Sequence, residues 1–154
     1  MSKIQSPVKI ACIQMRISYC RVEENLAEAD RLIEAACANG ATLLILPETF
    51  TTGSAFDTRA EAYAVAEAIP DGRTSQFLLK KAREHGVYIT GSFVERDGAD
   101  LYNTAVLAGP DGLVGKFRKL HPCEDEVYWA EPGNLGIPVF HTPIGRIALL
   151  ICLD

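Results

Sequence analysis

Apolar and polar positions along the chain predict a succession of short strands and amphipathic helices. Residues 8–15 predict a first strand, which we expect to be buried on both faces, and residues 42–46 predict a second strand. Between them, apolar residues recur at helical spacing over residues 22–39, and Gly40 follows as a terminator. Further helices are predicted over residues 60–68 and 74–85, the second capped by Thr74 or Ser75. This alternation of strand and helix is typical of an α/β fold.

The second half of the chain changes to hairpins. Residues 87–95 and 101–108 predict a strand pair joined at Asp97-Gly98, and a turn at 110–112 leads into a strand over 113–117. Residues 118–137 have no periodicity, and a connection of this length inside a domain suggests a function. Strands over 138–141 and 146–151 follow, the second an apolar run covered on both faces. We therefore expect a mixed sheet.

The amino-acid composition limits the classes of protein and of partner that this chain can represent. The 154 residues are 48% hydrophobic and 23% charged, which predicts a single folded domain over residues 1–154. The net charge of −5 comes from mixed acidic and basic residues without a basic stripe, so nucleic acid is not an expected partner and small molecules are. No apolar window approaches the ~18 residues of a membrane span, so we expect no membrane association and a cytoplasmic location.

The five cysteines are odd in number and lack the close pairing of a zinc or redox motif. This usage favours a reducing compartment and predicts no metal site.

Three chemically active residues each follow a predicted strand. Glu48 ends the run 43–47, Lys119 follows the strand over 113–117, and Cys152 follows the run 146–151. Open α/β sheets bind ligands at the carboxyl ends of their strands. A thiol, with a pKa near about 8.5, needs a base or a cation to become a good nucleophile, and Glu48 and Lys119 supply both. The sequence therefore predicts part of a thiol hydrolase.

Four motifs in register carry a resemblance to a known family: Leu-Pro-Glu at 46–48, Lys-Phe-Arg-Lys-Leu-His at 116–121, Glu-Pro-Gly-Asn at 131–134 and Ile-Cys-Leu-Asp at 151–154. In order and spacing they resemble the nitrilase superfamily of carbon–nitrogen hydrolases. The resemblance implies an αββα sandwich with mixed β-sheets, assembled as a homodimer or higher homo-oligomer through its outer helices. It also implies hydrolysis of a small amide, carbamoyl compound or nitrile without a metal or other cofactor.

The same resemblance implies roles for individual residues. Cys152 would be the nucleophile, Glu48 the general base, and Lys119 the cation facing the tetrahedral oxyanion. Glu126 would be the family's second glutamate, which orients Lys119 or the attacking water, and Glu124 is a weaker candidate for that position. The mechanism expected from these roles is a thioester acyl-enzyme that releases ammonia or an amine.

Three further residues are candidates for substrate binding. Tyr128 and Trp129 lie in the long connection, and Leu153 follows the nucleophile, where its backbone N–H would stabilise the oxyanion. Aromatic residues in a long loop serve its internal packing equally often, so that alternative stays open for Tyr128 and Trp129.

Other interpretations of the site residues also stay open. A lone cysteine at a strand end usually serves packing, and Glu126 could belong to an exposed acidic run over residues 124–126. A Cys–His mechanism would use His85, His121 or His141, although His85 ends a predicted helix and His121 is better placed to anchor its loop. A non-catalytic scaffold and an acyltransferase using the same thioester are the alternative functions.

The family's domain is nearly twice as long as this chain, so the resemblance covers its N-terminal portion through the nucleophile motif. We expect the interior faces of the last strands to expose apolar surface, and a second polypeptide or further residues to complete the fold. We also expect the Asp154 carboxylate to raise the pKa of the Cys152 thiol.

Overall fold

The computed structural model describes residues 7–154, and its central element is a five-stranded mixed sheet. Strands β1, β2 and β3 are parallel, whereas β3, β4 and β5 form antiparallel hairpins. The prediction of a mixed sheet is confirmed. In spatial order the strands are β1 (Ile10–Cys12), β2 (Leu43–Ile45), β3 (Tyr88–Asp97), β4 (Asp100–Gly109) and β5 (Gly112–Arg118).

Helices cover one face of this sheet. They are α1 (Val22–Ala38) and α3 (Arg73–His85), whereas α2 (Arg59–Val65) packs its buried Ala62 separately, against Val94, Leu101 and Trp129. The spacing of apolar residues in α1 turns Leu26, Ala29 and Ile33 inward, and they pack with Leu78 of α3 and Phe93 of β3 in one buried cluster. Among residues 7–154, no helix combines the length and the apolar character needed to cross a membrane.

The start of α3 differs from the prediction. The residue before the helix is Gly72, and neither Thr74 nor Ser75 acts as its cap. Instead, the Glu67 carboxylate accepts hydrogen bonds from the N–H and the hydroxyl of Thr74, each at 2.7 Å. A carboxylate at the N-terminus of a helix satisfies a free donor and complements the helix dipole, so Glu67 replaces the expected cap.

A two-stranded antiparallel sheet of β6 (Val139–Thr142) and β7 (Gly145–Ala148) lies on the other face of the central sheet. Leu149, Ile151 and Phe140 pack there against Leu107 and Phe117 in a second apolar cluster. The described residues therefore form three layers in the order helices, large sheet and small sheet.

Two strands expected to be covered on both faces are not. Ile10 in β1 is 55% exposed, and Leu150, which lies beyond the end of β7, is 57% exposed. The small sheet packs mainly against β3, β4 and β5, so β1 at the far edge keeps one uncovered face. The expected apolar exposure near the last strands is present, with Val139 at 51% and Leu153 at 65%.

A buried ion pair fixes β5 just before the site. The Arg118 guanidinium donates to both carboxylate oxygens of Glu95, at 2.8 and 2.7 Å, and its side chain stacks 3.8 Å over the Tyr102 ring. Thr104 donates to the same carboxylate at 2.6 Å. Because buried charges are stable only when they are paired in this way, the network fixes the strand end that carries the next residue, Lys119.

Candidate active site

Lys119 stands at the centre of a buried polar cluster. Its backbone is held on both sides, because its N–H donates to Asn103 O at 2.9 Å and its carbonyl accepts from Gly133 N at 2.8 Å. The side chain is 1% exposed, and its Nζ lies 2.8 Å from Glu48 Oε1 and forms an ion pair with Glu126 Oε2. The ammonium therefore bridges two carboxylates from distant parts of the chain.

Glu48 reaches this cluster from the turn after β2. Thr49 has a positive φ of 43°, and its N–H donates to Ser92 Oγ at 2.8 Å. Phe50 is fully buried behind the turn. These contacts hold the turn on β3, and the Glu48 side chain, 30% exposed, points toward Lys119 and the solvent-accessible side of the site.

Glu126 lies on a 3₁₀ helix, Glu124–Tyr128, within the long connection. It is 4% exposed, whereas Glu124 and Asp125 are exposed. Besides its ion pair with Lys119, Glu126 accepts hydrogen bonds from Asn103 Nδ2 at 2.6 Å and from Cys123 N at 3.3 Å. The interpretation of 124–126 as a solvated acidic run is therefore wrong for Glu126.

Cys152 lies on a turn beyond β7 and has a positive φ of 50°. A cavity of about 120 Å³ is lined by this thiol together with Glu48, Lys119, Glu126 and Cys123. The structure thus brings together all four residues for which the sequence predicts a catalytic role. A second cleft of about 240 Å³ is lined mostly by apolar residues and also by Cys152 and Glu48.

The electrostatics of the cluster favour a charged lysine and a protonated thiol. Burial by itself lowers the pKa of Lys119, but hydrogen bonds and the charges of Glu126 and Glu48 outweigh it, so the pKa is raised and the ammonium persists. The pKa of Cys152 is also raised, first by the negative charge of Glu48 and then by desolvation, with Lys119 opposing both. At neutral pH the thiol therefore keeps its proton until a base removes it.

Asp154 does not affect Cys152 in the way we expected. Its carboxylate, 1% exposed, accepts hydrogen bonds from the N–H groups of Leu120 and His121, both at 3.0 Å, and lies 2.9 Å from His121 Nδ1. The charge that raises the pKa of the thiol is that of Glu48 instead. Asp154 ties the turn of Cys152 to the loop that follows Lys119.

The histidines do not support a Cys–His mechanism. His121 anchors its loop through Asp154, as expected, and His85 lies 3.0 Å from Glu34 Oε1 on the helical side of the sheet. His141 is exposed on β6. Within residues 7–154, none of the three lines either cavity next to Cys152.

The three residues predicted for substrate binding are not among those that line the two cavities beside Cys152. Trp129 is 1% exposed, packs edge-on against Phe56 and donates its indole N–H to Ser54 O at 2.9 Å, which favours the packing alternative. Tyr128 and Leu153 are 73% and 65% exposed, and neither lines the cavities described above. An amphipathic indole with a buried N–H partner serves packing, which is the alternative left open for this loop.

Sequence reasoning missed Asn103, which donates from Nδ2 to Glu48 Oε1 at 2.8 Å as well as to Glu126. It also missed Cys123, whose Sγ lies 3.7 Å from Lys119 Nζ. The signal in the sequence that could have indicated Asn103 was an amide side chain within a predicted strand whose other residues are mostly apolar.

The sequence profile of the family described as carbon-nitrogen hydrolase matches residues 9–154. The chain belongs to this family. A nitrilase of Pyrococcus abyssi is 43% identical over 147 residues, covering 96% of this chain and 56% of the relative. The omega-amidase NIT2 of Bos taurus is 37% identical over 157 residues, covering 95% of this chain and 55% of that protein.

Among solved structures, Saccharomyces cerevisiae Nit3, a member of branch 10 of the nitrilase superfamily, superposes with a TM-score of 0.82 at 27% identity. The match covers 98% of this chain and 58% of Nit3. The nitrilase-like α/β fold expected from the resemblance is confirmed. The chain spans slightly more than half the length of each of these three relatives.

Proposed function

We propose that this carbon–nitrogen hydrolase cleaves the carbon–nitrogen bond of a small amide through a thioester on Cys152. The observation that carries the proposal is a cavity of about 120 Å³ lined by a thiol and by a buried ammonium that is paired with two carboxylates. The family membership and the relatives named nitrilase and omega-amidase support the same reaction class.

The first half-reaction forms the thioester. Glu48 takes the proton of the Cys152 thiol, whose pKa is too high for spontaneous ionisation at neutral pH, and the sulfur attacks the amide carbon. Negative charge then develops on the amide oxygen. The leaving nitrogen departs as ammonia or an amine with the proton from Glu48, and the carbon–nitrogen bond breaks as the carbonyl re-forms.

Lys119 stabilises the oxyanion in this scheme. An ammonium has three N–H donors, and among residues 7–154 they meet Glu48, Glu126 and Cys123. The sulfur of Cys123, at 3.7 Å, is the weakest of these acceptors. An oxyanion entering the cavity replaces that contact, while the two carboxylates keep the ammonium charged and in place. Removing a donor of this kind typically costs about 3 kcal/mol of barrier.

The second half-reaction consumes water. Glu48, ionised again after losing its proton to the leaving group, deprotonates a water molecule that attacks the thioester carbon. The carbon–sulfur bond breaks, the acid product leaves, and the proton returns to Cys152. Glu126 keeps both of its oxygens engaged by Lys119 and Asn103, which favours an orienting role over proton transfer.

The charge around the cavity bears on the substrate class. Its lining includes four carboxylates, those of residues 48, 124, 125 and 126, and the single ammonium of Lys119. A substrate carboxylate would be repelled by this excess of like charge. We therefore propose an amide without a carboxylate, for example butyramide in preference to succinamate.

The test is ammonia release from a panel of amides and nitriles, combined with intact-mass analysis. We expect an acyl adduct on Cys152, ammonia from neutral amides, and loss of both in Cys152→Ala. Cys12→Ala, which removes an exposed cysteine outside both cavities, is the matched control and should keep wild-type activity. Equal turnover by Cys152→Ala would refute the thioester, and an adduct that hydroxylamine captures without hydrolysis would indicate acyl transfer.

A further inference from the structure

Asn103 is the one residue of the cluster to which neither the sequence motifs nor the proposed mechanism assigns a role. It lies on β4 and is 1% exposed. Its Nδ2 donates to Glu48 Oε1 at 2.8 Å and to Glu126 Oε1 at 2.6 Å. One amide group therefore connects the two carboxylates that flank Lys119, and both of its N–H bonds are used.

The other end of the same amide reveals what this arrangement costs. Asn103 Oδ1 is buried without a hydrogen-bond partner among the described residues. A buried polar atom left unpaired is destabilising, and rotating the amide would bring this oxygen against two carboxylates. The orientation of Asn103 is thus dictated by Glu48 and Glu126. Local violations of hydrogen-bond satisfaction of this kind occur where function requires them.

The hydrogen bonds also distinguish the two oxygens of Glu48. Oε1 accepts from both Asn103 Nδ2 and Lys119 Nζ, each at 2.8 Å. Among the described residues this leaves Oε2 to the Cys152 thiol, which lines the same cavity. In Glu126, by contrast, both oxygens accept hydrogen bonds from Asn103, Lys119 or Cys123. Among the described residues, Glu48 therefore has one carboxylate oxygen available to the thiol, whereas Glu126 has none.

We propose that Asn103 is a positioning residue that directs Glu48 to act through Oε2, by holding Oε1 together with Lys119. A donor to an ionised carboxylate favours that form, and with Oε1 held in this way Oε2 is the oxygen left to act on the thiol. The inference rests on the proposed function, since it assigns Glu48 as the base. A misdirected base costs turnover more than binding, because the ground-state contacts of the substrate are unchanged.

The variants are Asn103→Asp, which keeps the shape but loses both donors, and Asn103→Ser, which is neutral and smaller should the first not fold. We expect kcat to fall by about 10- to 100-fold, the loss of one or two charge-assisted hydrogen bonds, with KM within about threefold. The acidic limb of the kcat/KM profile should move to higher pH. Asn39→Ala, which removes an exposed asparagine at the end of α1, is the control for losing an asparagine and should leave the profile unchanged.

A purely structural role would lower the free energy of unfolding without moving the pH profile. A folded Asn103→Ser protein with wild-type kcat and an unchanged acidic limb would overturn the inference while leaving the proposed function intact. If instead Cys152→Ala hydrolyses amides as fast as the wild type, the proposed function fails, and the role of Asn103 fails with it.

Discussion

Replacing the buried ammonium of Lys119 by the apolar side chain of methionine tests the energetics of the whole cluster. In Lys119→Met, the carboxylate of Glu126, 5% exposed, loses its counter-ion, and Glu48 and Glu126 remain on either side of Asn103 with like charges. Removing one partner of a buried ion pair costs about 3–5 kcal/mol. Since a domain of this size has about 5–15 kcal/mol of stability in total, the loss should be a large fraction of it.

The pH dependence of this loss follows from the raised pKa of Lys119. Stabilisation by a group whose folded pKa is raised is fully present below its unfolded pKa of about 10.4, so the wild type keeps it throughout the neutral range. In acid, carboxylates that become protonated no longer need a cation. The difference in free energy of unfolding between wild type and variant should therefore be full near neutral pH and narrow as the pH falls.

The measurement is urea unfolding followed by far-UV circular dichroism at several pH values, with Lys81→Met as the matched control. Lys81 is also largely buried and also bridges carboxylates, but those of Asp30, Glu34 and Glu84 are at least 43% exposed. Water can solvate them after the substitution, so the control should lose about 1 kcal/mol or less. Equal losses in the two variants, or a loss in Lys119→Met that grows in acid, would refute the reasoning.

Two further predictions concern the thiols. The charge of Glu48 is the largest cause of the raised pKa of Cys152, so Glu48→Gln should lower the pH midpoint at which iodoacetamide alkylates Cys152. Peptide mass analysis measures the alkylation, and an upward shift of the midpoint would contradict the assignment. Cys123→Ala should keep kcat within about threefold of the wild type. Cys123→Ser should lower kcat further, because a hydroxyl is a stronger acceptor than sulfur for the third N–H of Lys119 and competes with the oxyanion. Equal effects in the two variants would contradict the proposed role of Lys119.

Much of the fold follows from local pattern. The helical spacing of Leu26, Ala29 and Ile33 predicts the buried face of α1, and the turn residues at Asp97-Gly98 predict the β3–β4 hairpin. Two predictions are wrong: that both faces of β1 are covered, and that Thr74 or Ser75 caps α3. Both depend on where a remote element packs, the small sheet in one instance and Glu67 in the other, and periodicity carries no information about that.

The candidate site, like the fold, could be predicted from the sequence only in part. Strand ends and the motif register predict that Glu48, Lys119 and Cys152 meet, and they line one cavity. The burial of Glu126 could not be read from its neighbours, because an acidic run usually remains in solvent. Asn103 and Cys123 were missed as members of the site, and Asp154 was assigned the wrong role. In each instance the importance of the residue lies in which distant atoms its side chain reaches, and no local pattern encodes such contacts.

The bond between Lys119 and Glu48 joins residues 71 positions apart in the sequence, and the bond between His121 and Asp154 joins residues 33 apart. Closing such long loops loses chain entropy before any contact compensates for it. The hairpins and helices can form from neighbouring residues, but the charge cluster requires the β2, β4 and β5 segments and the connection after β5 to be in place together. During refolding, secondary structure should therefore recover before the reactive thiol does, which makes Cys152 chemistry a sensor of complete assembly rather than of chain collapse.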